Sequence, residues 1–473
     1  MKIEHIPEPR LVFANGEHVC PRMGISAYGV FDRSAEVRRD QINIGAVGTG
    51  PCLEGLNRWI ERCGKEISAP EDKRLRNLFP PFCGFNRSSG FATDFVLKTE
   101  LTRQLRASDI DAVLSISSFQ ERVAAAIELY YEQVKFLTQN RPVDVVVCII
   151  PERLHEKIAY EEKLDEEAIP SSVDVSSSEI NFRRALKAKA MHLGRPLQLI
   201  KANTLESNKG GQQDDATKAW NFCTALYYKA GPTVPWKLAT DPGKPSTCAV
   251  GVAFYRSRDR SILDTSLAQI FDELGNGLIL RGTPVEIDKE DRVPKLKAQQ
   301  AFDLLKAALT EYRVAMRNFP ARVVVHKSSN FSPEEVEGFT QAVQSLGIDA
   351  IDLISLIDSK LRVFRDGAYP PYRGTLLEIS KQQHVLYSRG AVPYYGTYPG
   401  MYVPQPVEIR IARSDESPAF LAKEVLGLTK MNWNNTQFDG KYPVTLGCAR
   451  KVGEVMKYLD PGDRAQVRYG YYM

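Results

Sequence analysis

Apolar residues along this chain fall into two spacings. Short β-branched runs, Ile42-Asn43-Ile44-Gly45-Ala46-Val47, Ala112-Val113-Leu114-Ser115-Ile116 and Val143-Asp144-Val145-Val146-Val147-Cys148-Ile149-Ile150, read as buried strands. Helical spacing separates them, over residues 53–67 and 119–138. Strands alternating with helices predict a parallel sheet, hence an α/β domain. Pro232, Pro235, Pro242 and Pro245 punctuate the chain next. After them Thr247-Cys248-Ala249-Val250-Gly251-Val252-Ala253-Phe254 opens a second α/β unit, with a helix over 295–317 and a strand over 322–326. Ser332-Pro333-Glu334-Glu335 predicts a helix start, with serine as cap, proline in the first turn and glutamates at the positive dipole end. Leu11-Val12-Phe13 before Asn15-Gly16 predicts a strand and turn, and the polar, serine-rich residues 161–179 an exposed loop. The expected division is an N-terminal strand and turn segment (1–38), a first α/β domain (39–245) and a second (246–473).

Composition narrows the function classes modestly. At 473 residues the chain has ample core for two or three domains. A net charge of +4 neither demands nor forbids a polyanionic partner, because local clustering matters more than the sum. The eight cysteines form no C-x-x-C pair, which argues against structural zinc and a disulfide framework. No apolar run approaches the ~18 residues needed to span a bilayer, so a cytoplasmic protein with no membrane partner is expected.

The candidate chemistry lies near the C-terminus, in Met431-Asn432-Trp433-Asn434-Asn435-Thr436-Gln437-Phe438 and Tyr442-Pro443-Val444-Thr445-Leu446-Gly447-Cys448-Ala449-Arg450. With Trp220-Asn221, Ala225-Leu226-Tyr227-Tyr228-Lys229-Ala230-Gly231 and Val234-Pro235-Trp236-Lys237, in that order, the chain resembles a short prokaryotic Argonaute. That resemblance implies a Rossmann-like MID domain followed by an RNase H-like PIWI domain, without a PAZ domain. It also implies a pocket for the guide 5′ phosphate at Arg183, Lys187, Gln198 and Lys229. Arg183 and Lys187, at i and i+4, reach one helix face, where cations suit phosphate oxygens. By the same resemblance Met473 at the C-terminus would help hold Mg2+ beside that phosphate.

RNase H-type cleavage needs clustered carboxylates to hold two metal ions. At the positions matching the family's acids stand Ala253, after Gly251-Val252; Ser328, after Val325-His326-Lys327; and Arg450. Glu286 is the candidate for the remaining acid, and Asp259 and Asp264 lie past the first strand. A guanidinium cannot ligate a divalent metal, so an inactive PIWI domain is expected. Asn432, Asn434, Asn435, Thr436 and Gln437 would line a nucleic-acid groove, with Arg365, Arg373, Arg389, Arg410 and Arg413 as candidate phosphate contacts. The loop Tyr394-Tyr395-Gly396-Thr397-Tyr398-Pro399 could stack bases or fill a loop interior.

The resemblance implies a non-cleaving reader that loads a 5′-phosphorylated guide RNA and pairs it with single-stranded target DNA. It would signal to a separately encoded APAZ-containing effector, sirtuin-like in preference to TIR, that depletes NAD in defence against phage and plasmids. Three other readings stay open. One is an active guide-directed nuclease, and another an assembly scaffold. The third is a Rossmann-type nucleotide-binding enzyme built on Gly45-Ala46-Val47-Gly48-Thr49-Gly50, although a tight strand-to-helix turn needs the same glycines. His326 reads as a packed polar residue on its strand.

Overall fold

The structure is a computed structural model that describes residues 2–36, 38–71, 77–159, 180–206, 213–231, 233–239, 243, 245–256, 263–269, 279–285, 293–367, 370–396, 398, 402–459 and 465–473. The 161–179 segment, Pro232, Pro242, Thr397, Pro399, Asp259 and Glu286 lie outside them.

The first unit is a five-stranded parallel sheet. Asp94–Val96, Gln41–Gly48, Val145–Ile150 and Leu197–Lys201 follow one another across it, and Thr102–Gln104 also pairs with Gln41–Gly48. Every residue of Val145–Ile150 is buried, as expected for a parallel strand covered on both faces. The flanking helices start on side-chain caps. Ser118 opens Phe119–Asn140, Asn181 opens Phe182–Ala190 and Asp214 opens Asp215–Ala230, each accepting from the backbone N–H three residues on. Gly64 ends the helix Gly50–Cys63, short of the expected residue 67, and Ile67 instead bridges to Phe82.

One expected strand is a helix. Residues 112–116 were β-branched enough to suggest extended chain, yet Ala107–Leu114 is helical. Its Asp109 side chain accepts from the Arg106 N–H at 3.4 Å, and Ile110 and Val113, three apart, share the buried face.

The second unit is a nine-stranded mixed sheet. Its order is Lys2–His5, Thr375–Ser380, Gln383–Leu386, Val407–Arg413, Ala350–Asp358, Arg322–Lys327, Thr247–Arg256, Leu263–Gln269 and Ile279–Val285. The three strands from Thr247–Arg256 to Ala350–Asp358 run parallel. The helices Ala298–Met316 and Pro333–Ser345 pack on one face of them. Ser332 and Glu335 close the predicted cap reciprocally, at 3.2 and 2.8 Å. Pro418–Leu428 and Val444–Met456 cover the other face. Val444–Met456 can lie close because Gly251 has no side chain: a Cβ there would meet the Thr445 carbonyl oxygen at 2.2 Å.

The N-terminal residues stitch these units together. Lys2–His5 is an edge strand of the large sheet, whereas Leu11–Phe13 and Gly16–His18 form a hairpin that also pairs with Lys237–Leu238. The helix Asp215–Ala230 is buried along nearly its whole length, in one core with Trp236, Trp433, Ala253 and Ala449. No helix among the described residues is long and apolar enough to cross a membrane.

Candidate nucleic-acid interface

Phe182–Ala190 presents Arg183 and Lys187 one turn apart, and Arg183 projects to solvent. The strand Leu197–Lys201 supplies Gln198, and Lys229 comes from the last turn of Asp215–Ala230. Lys229 is buried, and its ammonium donates to Gln198 Oε1 (2.5 Å), the Leu197 carbonyl (3.2 Å) and the Met473 backbone oxygen (3.1 Å). Lys187 Nζ donates to the same Met473 oxygen. The structure therefore brings Lys187, Gln198, Lys229 and Met473 to one point.

Met473 reaches it because the final residues are docked. Tyr469, Tyr472 and Met473 are buried in the core that holds Tyr228, and Tyr472 donates its hydroxyl to the Gln466 carbonyl at 2.9 Å. Arg468 donates to the Tyr228 and Gly231 carbonyls, satisfying the end of the Lys229 helix.

A cation absent from the sequence expectations joins the cluster. Lys451, on Val444–Met456, is exposed, and its charge acts on both Lys187 and Lys229. Two ties bring its helix against Phe182–Ala190: Arg184 pairs with Glu454 at 2.6 Å, and the Tyr458 hydroxyl accepts from the Asn181 N–H at 2.9 Å. Glu454 pairs with Arg184 and Lys457, and among the described residues no carboxylate side chain pairs with Arg183, Lys187, Lys229 or Lys451.

Burial and crowded like charges strain the ionisation of these lysines. Burial, and then the charges of Arg183, Lys451 and Arg184, push the Lys187 ammonium down to about 7. Burial and the charges of Lys187, Lys451 and Arg183 hold Lys229 well below the usual lysine range. An anion would relieve both, so the arrangement is chemically an anion receptor.

The positions matched to the family's acids lie elsewhere. Ala253 is buried on Thr247–Arg256 in the core that contains Ala449, Ser328 follows Arg322–Lys327, and Arg450 is half-buried on Val444–Met456. Asp264 lies opposite Tyr255 on the neighbouring strand. His326 is buried against Thr445 Oγ1 at 2.8 Å, and burial pushes its imidazole down to about 3, the packed polar residue expected.

The 432–437 segment is largely engaged with itself and its neighbours. Asn432 and Asn435 accept from the N–H groups two residues on, at 3.1 Å each. Gln437 donates to Asp439 at 3.0 Å. Thr436 is buried, taking the Arg22 guanidinium at 2.8 Å and bonding to Asn221 at 3.1 Å. Asn434 is half-buried beside them. Arg373 is no surface phosphate contact: it is buried, paired with Glu8 at 3.0 Å and bonded to Thr429 at 2.8 Å. Arg389 faces Asp439, Arg410 faces Glu408 and Asn330, Arg413 reaches Thr340, and Arg365 stacks on Tyr372. Tyr395 is buried against Phe438, so that ring fills the loop interior. The glycines near 45–50 serve packing, since a Cβ on Gly48 would press on Cys52 at 3.1 Å and Ile149 at 3.3 Å.

No protein-family model matches the chain, and no curated protein matches it by sequence. Its fold matches solved structures. The Argonaute of Clostridium butyricum, bound to a guide DNA and a 19-mer target DNA, aligns with TM-score 0.67 and 17% identity over 98% of this chain and 53% of its own. Drosophila Piwi aligns with TM-score 0.61 and 13% identity over 100% and 56%. Aa-Ago with externally bound siRNA gives 0.59 and 16% over 99% and 56%. The chain thus spans about half the length of each of these structures, and the fold is that of the MID–PIWI half of an Argonaute.

Proposed function

We propose that this chain binds a small guide RNA by its 5′ phosphate and presents it to complementary single-stranded DNA without cutting it. The carrying observation is the convergence of Lys187 and Lys229 on the Met473 oxygen, with Gln198 Oε1 accepting from Lys229 and with Arg183 and Lys451 close enough for their charges to be felt. A phosphate would bring negative charge to this cluster of cations, and such contacts fix register without reading sequence. Base pairing then carries specificity.

Mg2+ carries no step in this reading. Met473 O and Gln198 Oε1 are the hard donors at the pocket, and ammonium groups already engage them. Loss of cutting is proposed from Ala253, Ser328 and Arg450, none of which can ligate a metal as a carboxylate does. The consequence of target pairing is proposed to fall to a separate APAZ-containing effector, sirtuin-like in preference to TIR, that depletes NAD.

The test is direct. The purified chain is titrated with a 5′-phosphorylated RNA and with its 5′-hydroxyl counterpart. Tighter binding of the phosphorylated form, lost on the order of a hundredfold in Lys187→Glu, supports the reading. Equal binding of the two ends, unaffected by Lys187→Glu and Lys229→Glu, leaves a scaffold instead.

A further inference from the structure

Two rows of side chains cross the nine-stranded sheet near one edge, on the face that Pro418–Leu428 covers. In one row Glu4 stands opposite Leu376 and Leu376 opposite Leu386, and both leucines pack with Leu421, Ala422 and Val425 of the helix. In the other Lys2 stands opposite Glu378, Glu378 opposite His384 and His384 opposite Ile409, so these share the same face. Between this charged row and the first turn of the helix, at 417–419, lies a cavity of about 370 Å3. That volume is in the range of small-molecule sites.

Two polar groups at this cavity are left without partners. His384 lines it and is 3% exposed, yet its Nδ1 is sealed from solvent with no hydrogen bond. Burial holds its imidazole below the ordinary value, although Glu378 pulls the other way. An idle ring in a buried place costs free energy that a bound molecule can recover. The second group is the helix end. Pro418 carries no N–H, and the Ser417 hydroxyl already takes the Phe420 N–H at 3.2 Å. Ala419 N–H, between them, has no acceptor among the described residues, and no acidic side chain stands in that turn. The positive end of the helix therefore meets the cavity with a donor to spare.

The rim selects the class of ligand. Lys2 pairs with Glu4 at 3.7 Å, and Glu378 and Lys381 add one charge of each sign. A phosphate, close to doubly charged at neutral pH, would meet two carboxylates at once. A single carboxylate suits the helix end, an ammonium suits Glu378, and Leu376 and Pro418 offer apolar contact to what joins them. We propose that this cavity binds a free amino acid, with its carboxylate at the Ala419 N–H, its ammonium at Glu378 and His384 hydrogen-bonded to it. The site shares no residue with the phosphate pocket, so it stands or falls independently of guide binding.

The test titrates the full chain by calorimetry with the common L-amino acids in turn, then with acetate, butylammonium and inorganic phosphate. The best amino acid should bind saturably and more tightly than any of those three. Ala419→Asp sets a carboxylate at the positive helix end, which favours the helix and keeps the melting temperature while lowering amino-acid affinity about tenfold or more. Glu378→Gln should cost a similar factor for the amino acid and leave acetate unchanged. The ring signals of His384 should move on ligand addition to wild type and stay still in Ala419→Asp. No amino acid bound, or binding indifferent to both variants, overturns the proposal. So does acetate binding as tightly as the best amino acid, which makes the cavity a plain carboxylate site, and so does preferred binding of phosphate.

Discussion

Trp433 donates its indole N–H to the backbone oxygen of Trp236 at 3.1 Å, and Trp236 donates its own to the Lys430 carbonyl at 3.1 Å. Both rings are fully buried, so each bond replaces water that cannot reach the site. The Asn-Trp-Asn segment is thereby a cross-tie between the chain joining the two units and the loop that precedes Val444–Met456.

The first prediction tests that tie. Trp433→Phe keeps an aromatic ring but leaves the Trp236 oxygen unpaired, at a cost of about 1–3 kcal/mol. Trp433→Ala adds a cavity and costs about 3–5 kcal/mol. Denaturant melts of the two variants should rank in that order.

Guide affinity should depend on pH with a defined sign. Free Lys187 titrates near 7, and a bound phosphate raises that value, so the complex holds more protons than the free chain above pH 7. Affinity therefore falls as pH rises from about 7, by up to about tenfold per unit for each proton taken up. Below about 6 the phosphate itself protonates, which limits the gain on that side. Lys451→Ala removes a repelling charge and should move the fall to higher pH while weakening binding overall. Fluorescence titrations of a labelled guide across pH give both results.

Glu8 anchors the N-terminal segment between Arg373 (3.0 Å) and Lys430 (2.7 Å). Burial alone would raise its carboxyl, but the two cations outweigh burial and hold it below the ordinary value. A depressed carboxyl contributes stability above its unfolded value, about 4.3, which is lost as pH falls through the folded one. Glu8→Gln leaves two buried cations short of a counter-charge and should cost about 3–5 kcal/mol at neutral pH. The difference between variant and wild type should shrink in acid melts.

Guide-loaded chain with complementary DNA and Mg2+ or Mn2+ should yield no shortened strand on a denaturing gel. Ala253→Asp alone should not create cutting. It places a lone carboxylate in a packed core and should lower the melting temperature instead. A metal-dependent product from the unmodified chain would show that acids other than those of the motif serve the site.

Much of the fold was readable because pattern and local chemistry agreed. The fully buried strand Val145–Ile150 and the Ser332–Glu335 cap each had a signature within a few residues. Ala107–Leu114 misled because its β-branched residues imitate a strand, and the caps of one turn outweighed them. In the candidate pocket, the family resemblance pointed to Lys187, Gln198 and Lys229, and their meeting point is what the fold adds. Lys451 escaped because it enters through the Arg184–Glu454 and Asn181–Tyr458 contacts, which join residues far apart in sequence. Arg373 looked like a surface cation because nothing nearby in sequence announces Glu8 as its partner.

Arg450 and Lys451 are consecutive residues on the single helix Val444–Met456. One faces the question of cutting and the other the question of holding, about 100° apart around one rod. A rod cannot be retuned at one side alone: any roll that re-aims the first side chain swings the second by the same angle. A carboxylate placed at position 450 would therefore be aimed by the same helix that sets the reach of Lys451, and neither side chain could be re-aimed without moving the other.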